Sequence, residues 1–153
     1  MQPPAFDVQA AHHFFATDCF NQAWSYIEKE DRTSEENLLM ISASHASYWH
    51  WTQFEEHTPI NLSIAYWQLS RVYAITNQPS LAISYGTLCL KVTQMNHLSP
   101  FYIAYAYEAL ARATSAANKQ DEVSTYLEQA KKIAESELEE DEKQQLLADL
   151  NTI

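Results

Sequence analysis

The chain of 153 residues contains a single glycine, Gly86. P-loops and dinucleotide-binding turns need glycine at several fixed positions, because their backbone adopts positive φ or closely approaches a phosphate. Tight type I′ hairpins need glycine for the same conformational reason. This scarcity excludes these nucleotide sites and, together with long runs of helix-forming residues, predicts an all-α fold.

Cysteine is also scarce. Cys19 and Cys89 lie far apart and match no metal-binding or redox spacing, so we expect two reduced, buried thiols in a cytoplasmic protein. The N-terminus has neither the basic region nor the apolar core of an export signal. The longest apolar runs are too short to span a bilayer. We therefore expect a cytoplasmic protein that has no membrane partner.

Basic residues are few and unevenly placed: nine Lys and Arg stand against 20 Asp and Glu, giving a net charge of −11. Residues 1–60 and 119–153 are strongly acidic. Residues 61–118 carry only one acidic side chain, Glu108, against Arg71, Lys91 and Arg112. Because nucleic acids bind positive surfaces, the acidic ends argue against a nucleic-acid partner.

Two segments of the chain, 64–85 and 105–126, repeat one pattern at an offset of 41 residues. A fixed period of this size is typical of stacked helical hairpins. The identical pairs are Ala65/Ala106, Tyr66/Tyr107, Leu69/Leu110, Arg71/Arg112, Asn77/Asn118 and Tyr85/Tyr126.

Capping residues and prolines divide the chain into helices. Pro59, Pro79 and Pro100 suit the first turn of a helix, and Thr33 forms a capping-box pattern with Glu36. The predicted helices are 7–29, 34–54, 59–76, 79–96, 100–117, 120–136 and 139–151. Short connections make neighbouring helices antiparallel. Residues 1–153 are therefore predicted to form one domain of three hairpins, about 7–54, 59–96 and 100–136, and a capping helix, about 139–151.

The repeated pattern resembles the tetratricopeptide repeat (TPR), whose first helix carries W-x2-L-G-x2-Y. The corresponding segments are Tyr66-x2-Leu69-Ser70-x2-Tyr73 and Tyr107-x2-Leu110-Ala111-x2-Thr114. The chain departs from that family in its longer period and in lacking the signature Trp and Gly. The resemblance implies a right-handed superhelical stack of three TPR-like helical hairpins plus a C-terminal capping helix.

The chain is also similar to a group of bacterial proteins of comparable length. Four motifs carry this resemblance: His45-Ala-Ser-x-x-His50-Trp51, Thr58-Pro59-x-Asn61, Ser70-Arg-Val-Tyr-Ala74 and Tyr107-Glu-Ala-Leu-Ala-Arg112. It implies a bacterial, cytoplasmic protein and indicates no particular activity.

In TPR-like stacks the first helices of the hairpins line a concave groove that binds partners. Two guanidinium groups beside Trp67 suit a protein or peptide that is acidic or has a free C-terminal carboxylate, with an apolar anchor. In the alternative interpretation, Glu108 pairs with Arg71 and Arg112, which then only join the repeats. The groove residues that the resemblance implies are Ile64, Trp67, Arg71, Ala74, Tyr105, Glu108, Arg112 and Ser115.

No catalytic motif stands out, so we expect a non-catalytic protein without a cofactor. A second hypothesis is a small-molecule-binding or metal-assisted enzyme pocket formed by His45, His50 and Trp67. A metal is not expected, because His45 and His50 are five residues apart and point away from each other on a helix. A third hypothesis is a purely structural homodimer. Aromatic residues between 48 and 73, Trp49 among them, are expected mostly in the core.

Overall fold

The structure, a computed structural model, describes residues 5–153 and contains seven α-helices and no strand in that range. This confirms the all-α fold, and every predicted helix is present with ends within two residues of the predicted ones. None of these helices is both long and apolar enough to cross a membrane. Residues 1–4, part of the N-terminal segment that lacks the pattern of an export signal, lie outside the described residues. The helices are α1 (Val8–Ile27), α2 (Ser34–Gln53), α3 (Pro59–Ile75), α4 (Pro79–Met95), α5 (Pro100–Ala116), α6 (Gln120–Glu137) and α7 (Glu140–Leu150).

The helix starts follow the local capping signals. The Thr33 hydroxyl accepts from the Glu36 amide at 3.1 Å, and the Glu36 carboxylate accepts from the Thr33 amide at 2.8 Å. Pro59, Pro79 and Pro100 each occupy the first turn of their helix, where the missing N–H has no intrahelical partner to lose. Residues within one turn of each boundary therefore decide where these helices begin.

Helices α3, α4 and α5 end without the glycine that commonly follows a helix. Each helix is followed by a residue with left-handed backbone: Asn77 (φ 57°), His97 (φ 51°) and Asn118 (φ 58°). After α3 the Gln78 amide donates to the Tyr73 carbonyl at 2.8 Å, and α4 and α5 end with the equivalent hydrogen bond. This is the Schellman arrangement, which glycine usually provides and asparagine also tolerates. The repeated Asn77/Asn118 identity marks this turn.

The 41-residue repeat of the sequence recurs in the structure. Helices α3 and α5 each contain 17 residues and start one period apart. Tyr66 stacks near Tyr85, and Tyr107 near Tyr126, with ring centroids 6.3 Å apart in both pairs. Two of the six repeated identities therefore mark the same contact between the two helices of each repeat.

The helices pack mainly with their neighbours along the chain. Helices α1, α3 and α5 each pack against the helix that follows, and α3 also packs against α5. One buried cluster includes Met40, Leu69 and Val72, and a second joins α5 and α6 to Leu146 and Leu150 of α7. The apolar side of the last helix is thus buried against the preceding pair.

Gly86 allows α4 to approach α3 and α5 closely. A Cβ atom at this position would lie 3.0 Å from Leu110 Cδ2 and 3.2 Å from Ser70 Oγ. The only glycine therefore stands within a helix, where the lack of a side chain permits close packing.

Two expectations about burial are wrong. Trp49 is 52% exposed, and its ring contacts His12 and His50 instead of the core. Helix α2 packs mainly against α1 and α3, so its remaining side, where Trp49 lies, faces solvent. Both cysteines are free, but only Cys89 is buried, while Cys19 on α1 is partly accessible.

Candidate functional site

The predicted groove residues surround one surface, which we call the groove. It is formed by one side of α1, α3 and α5 together with the facing side of α7. The Trp24 ring of α1 lies 5.6 Å from the Trp67 ring of α3, which meets the Tyr105 ring of α5 edge-on at 5.9 Å. Tyr105 donates its hydroxyl to Asp149 of α7 at 2.9 Å. The aromatic side chains therefore form a continuous row that ends at α7.

The other predicted positions lie at the two ends of the groove. Ile64 lines an apolar cavity beside Trp67. At the opposite end, Ala74 and Ser115 line a shallow depression together with Arg112 and the C-terminal Ile153. These positions thus lie along α3 and α5, and the last turn of α7 contacts the arginines between the two ends.

A buried carboxylate, Glu108, lies at the centre of the groove. Its side chain is 0% exposed. Its Oε2 accepts from the Trp67 indole N–H at 2.7 Å, while its Oε1 accepts from Arg112 Nε at 2.9 Å and lies 3.9 Å from Arg71 Nη1. A carboxylate can be buried at acceptable cost only when such partners replace water. Glu108 therefore ties α3 to α5.

Asp149 of α7 provides a second carboxylate to the same arginines. Its Oδ1 lies 3.4 Å from Arg71 Nη1, and its Oδ2 accepts from the Tyr105 hydroxyl. Arg112 Nη2 donates to the Asp149 backbone carbonyl at 3.1 Å and to the Thr152 hydroxyl at 2.7 Å. Burial and the hydrogen bond to Asp149 raise the pKa of Tyr105, so its hydroxyl stays protonated and donates. The last turn of α7 is thus anchored in the groove.

Both arginines are paired within the fold and largely buried, which differs from the freely available guanidinium groups expected beside Trp67. The exposed fraction of the side chain is 13% for Arg71 and 11% for Arg112. The Arg71 guanidinium also lies over the rings of Trp24 and Trp67, 5.3 and 5.5 Å from their centroids. These contacts are those of the alternative interpretation, in which the arginines join helices. The difference arises because Asp149, outside the repeat, supplies a second negative charge.

An apolar cavity of about 190 Å³ remains open beside the arginines, between α3, α4, α5 and α7. The buried Cys89 thiol in its wall donates to the Ser63 carbonyl at 3.3 Å. Burial raises the pKa of Cys89 to about 12, so the thiol is protonated and a poor nucleophile. The lining residues are Ser63, Ile64, Trp67, Cys89, Phe101, Tyr102, Tyr105 and Gln145.

Sequence reasoning found three of the cavity residues, Ile64, Trp67 and Tyr105, and missed the others. Phe101 precedes Tyr105 by four residues on α5, so helical spacing alone could have indicated that both rings share a side. Cys89 and Gln145 come from α4 and α7. No local signal connects those two positions with α3 and α5, because only the packing of the helices brings them together.

The second hypothesis, a pocket of His45, His50 and Trp67, does not match the contacts of these residues. His45 Nε2 lies 2.7 Å from the Tyr73 hydroxyl, while His50 Nδ1 lies 2.9 Å from His12 Nδ1 at the α1–α2 contact. Trp67 lines the groove cavity, in which neither histidine takes part. Within residues 5–153, no three His, Cys, Asp or Glu side chains are grouped to hold a metal ion.

Desolvation lowers the pKa of both histidines. It is the sole cause at His45, and the nearby His12 adds to it at His50. Both rings are therefore neutral near pH 7, when each can accept and donate one hydrogen bond. Their positions fit packing between α1, α2 and α3.

Comparisons of the chain with protein-family models, with curated proteins and with solved structures found no match. We therefore infer a function from the groove itself.

Proposed function

We propose that this chain is a non-catalytic protein- or peptide-binding module whose binding surface is the groove. Its architecture is a right-handed superhelical stack of three TPR-like hairpins with α7 as the capping helix. The packing of α3 against both α4 and α5 supports this proposal, as does the 41-residue offset between α3 and α5. In such stacks, the first helices of successive repeats lie side by side and form the concave surface.

The observation that carries the proposal is the apolar cavity in the groove. Its volume of about 190 Å³ is below the roughly 300–1,000 Å³ of sites that enclose a whole ligand. It exceeds the volume of about 150 Å³ that holds one benzene molecule. The cavity therefore suits one apolar side chain, and its walls of Trp67, Phe101, Tyr102 and Tyr105 resemble the aromatic pockets that anchor protein partners.

The polar groups around the cavity favour binding over catalysis. Cys89 donates to a carbonyl oxygen, Tyr105 donates to Asp149, and the Ser63 hydroxyl lies 3.7 Å from the Cys89 sulfur. Each group thus has a partner within the fold. A nucleophile would instead need an adjacent base to remove its proton.

The charges of the groove indicate the kind of partner. Arg71 and Arg112 bind a carboxylate and a backbone carbonyl of α7. A partner peptide with an acidic side chain or a free C-terminal carboxylate can use the same cations, while its apolar side chain fills the cavity. The acidic surface elsewhere disfavours a nucleic acid. We propose that the protein acts in the bacterial cytoplasm.

The test is a selection from a random displayed-peptide library with the full chain as bait. Selected peptides should share an apolar residue with acidic neighbours, and replacing that residue with Ala should abolish binding. Tyr102→Ala, in the cavity wall, should weaken binding by about tenfold or more, as for an interface hot spot. Tyr126→Ala serves as the matched control, because Tyr126 is a partly buried tyrosine on α6. Equal affinity for the two variants would refute groove binding.

A structural homodimer is the second candidate, and exposed apolar side chains on α1 and α2 support it. Phe14 is 61% exposed, Phe15 44%, Leu38 67% and Leu39 47%, in addition to Trp49. The rings of Phe14, Phe15 and Trp49 are linked through His50, and exposed apolar patches of this kind mark interaction surfaces. Sedimentation equilibrium of the wild type and of Phe15→Ser tests this candidate. A dimer that dissociates in the variant would support it.

A further inference from the structure

Helix α7 has the chemistry of a ligand for the groove. Its carboxylate Asp149 contacts Arg71 and Tyr105, while its apolar residues Leu146 and Leu150 are 0% and 5% exposed against α5 and α6. An acidic group and two apolar residues on one side of a helix match the arginines of the groove and the apolar cluster beside them. The arginine end of the groove is therefore occupied by a segment of the chain itself, while the apolar cavity stays open.

The charges on either side of this contact are complementary. Without α7, the centre of the groove has two cations, Arg71 and Arg112, and one anion, Glu108. Between Glu140 and Leu150, α7 has four acidic residues and one lysine. Asp149 balances the excess cation of the groove, so another segment can replace α7 only if it also brings a carboxylate.

The position of α7 in the chain allows it to leave the groove. It is the shortest of the described helices, with 11 residues, and only Leu138 and Glu139 connect it to α6. Because it lies at the C-terminal end of the described fold, no other described helix depends on it for a connection. Terminal elements of this kind can open locally while the rest of a domain stays folded.

We propose that α7 is an internal ligand of the groove, which an acidic amphipathic helix of a partner protein displaces. This inference rests on the proposed binding function and names both the partner class and its regulation. The partner helix places a carboxylate at the position of Asp149 and apolar residues at the positions of Leu146 and Leu150. Its apparent affinity is set by how often α7 is undocked, because only that fraction of molecules can bind it.

The test uses the full chain and a fluorescein-labelled synthetic peptide of residues 140–153, with binding measured by fluorescence polarisation. Asp149→Ala removes the carboxylate that holds α7 in the groove. The peptide should bind this variant at least about tenfold more tightly than the wild type, since more molecules have α7 undocked. Asp141→Ala is the matched control, because it removes the same charge from the exposed first turn of α7. That variant should bind the peptide like the wild type.

Hydrogen exchange provides a second measurement that does not depend on the peptide. In Asp149→Ala, amides of α7 should exchange at least about tenfold faster than in the wild type, while those of α5 stay protected. Equal peptide affinity for the Asp149 and Asp141 variants, or unchanged α7 exchange, would overturn the inference. If the chain instead forms a dimer by exchanging α7 with a second copy, the partner assignment is also wrong.

The peptides selected from the library separate failure of this inference from failure of the proposed function. If they bind Asp149→Ala and the wild type equally well but lose affinity for Tyr102→Ala, the groove binds partners without displacing α7. That result would contradict only the internal-ligand proposal. If the selected peptides bind Tyr102→Ala as tightly as the wild type, the binding function itself is wrong.

Discussion

Trp67 donates its indole N–H to Glu108 at 2.7 Å, and the two residues are one repeat period of 41 apart. They occupy the same position in successive copies of the repeat, on α3 and on α5. One copy thus supplies a donor and the next an acceptor, so a hydrogen bond joins the two copies. The divergence between the copies at this position brings a buried charge into the groove, and the adjacent arginines compensate it.

Removal of Arg112 should destabilise the fold because Glu108 would lose its closest cation. The ion pair measures 2.8 Å, and the Glu108 side chain is 0% exposed. Breaking a buried pair by removing one partner costs about 3–5 kcal/mol, so Arg112→Ala should lower the free energy of unfolding in urea by that amount. Lys119→Ala is the control, since it breaks an exposed pair with Glu122 that contributes less than about 1 kcal/mol. Similar small losses for both variants would show that Arg112 is dispensable for stability.

The two repeated leucines should contribute strongly to stability. Leu69 is 0% and Leu110 2% exposed. Replacing either with Ala should cost about 2–5 kcal/mol, because the cavity left behind closes only partly. Leu38→Ala, at a position that is 67% exposed, should change stability by no more than about 0.5 kcal/mol. Chemical denaturation of the three variants measures the difference, and a small loss at Leu69 or Leu110 would contradict the role of that residue between the helices.

Gly86→Ala should be destabilising despite the better helix propensity of alanine. Within a helix that exchange normally gains up to about 1 kcal/mol, but the new Cβ would lie 3.0 Å from Leu110 Cδ2. Overpacking of this kind costs about 1–3 kcal/mol. A double-mutant cycle with Leu110→Ala checks the cause, because the glycine substitution should cost less once the leucine is shortened. A gain of stability in the single variant would show that Leu110 moves aside.

Stability should fall in mildly acidic solution because of His45 and His50. The pKa of each lies below its ordinary value of 6.5 in the folded protein, so the unfolded chain binds more protons as the pH drops. The stabilisation is complete above about pH 6.5 and is lost as the pH falls through the folded pKa values. Urea unfolding at about pH 7.5 and 5.5 should show this loss, and the double variant His45→Gln, His50→Gln should reduce it. Leu38→Ala, an exposed substitution that keeps both histidines, should retain the pH dependence of the wild type.

The sequence by itself determined the helices and the pairing within each repeat. Helix starts depend on a capping residue or proline within one turn, as at Thr33 and Pro59, so a local pattern is sufficient to predict them. The repeat also predicts that Trp67 and Arg112 lie on the same side of successive repeats, and in the structure both contact Glu108. Residues at equivalent positions of a periodic structure point the same way, so such neighbours can be inferred from the pattern.

Only the tertiary structure determined which residues pair with the arginines of the groove. Asp149 lies 78 residues from Arg71 and 37 from Arg112, outside the repeat, and nothing in the local pattern of α7 distinguishes it from the other acidic residues of that helix. Trp49 is likewise exposed because no described helix packs on the outer side of α2. Helix boundaries depend on nearby residues, whereas the partner of a buried charge depends on how distant helices pack. That packing places the carboxylate of α7 against the arginines.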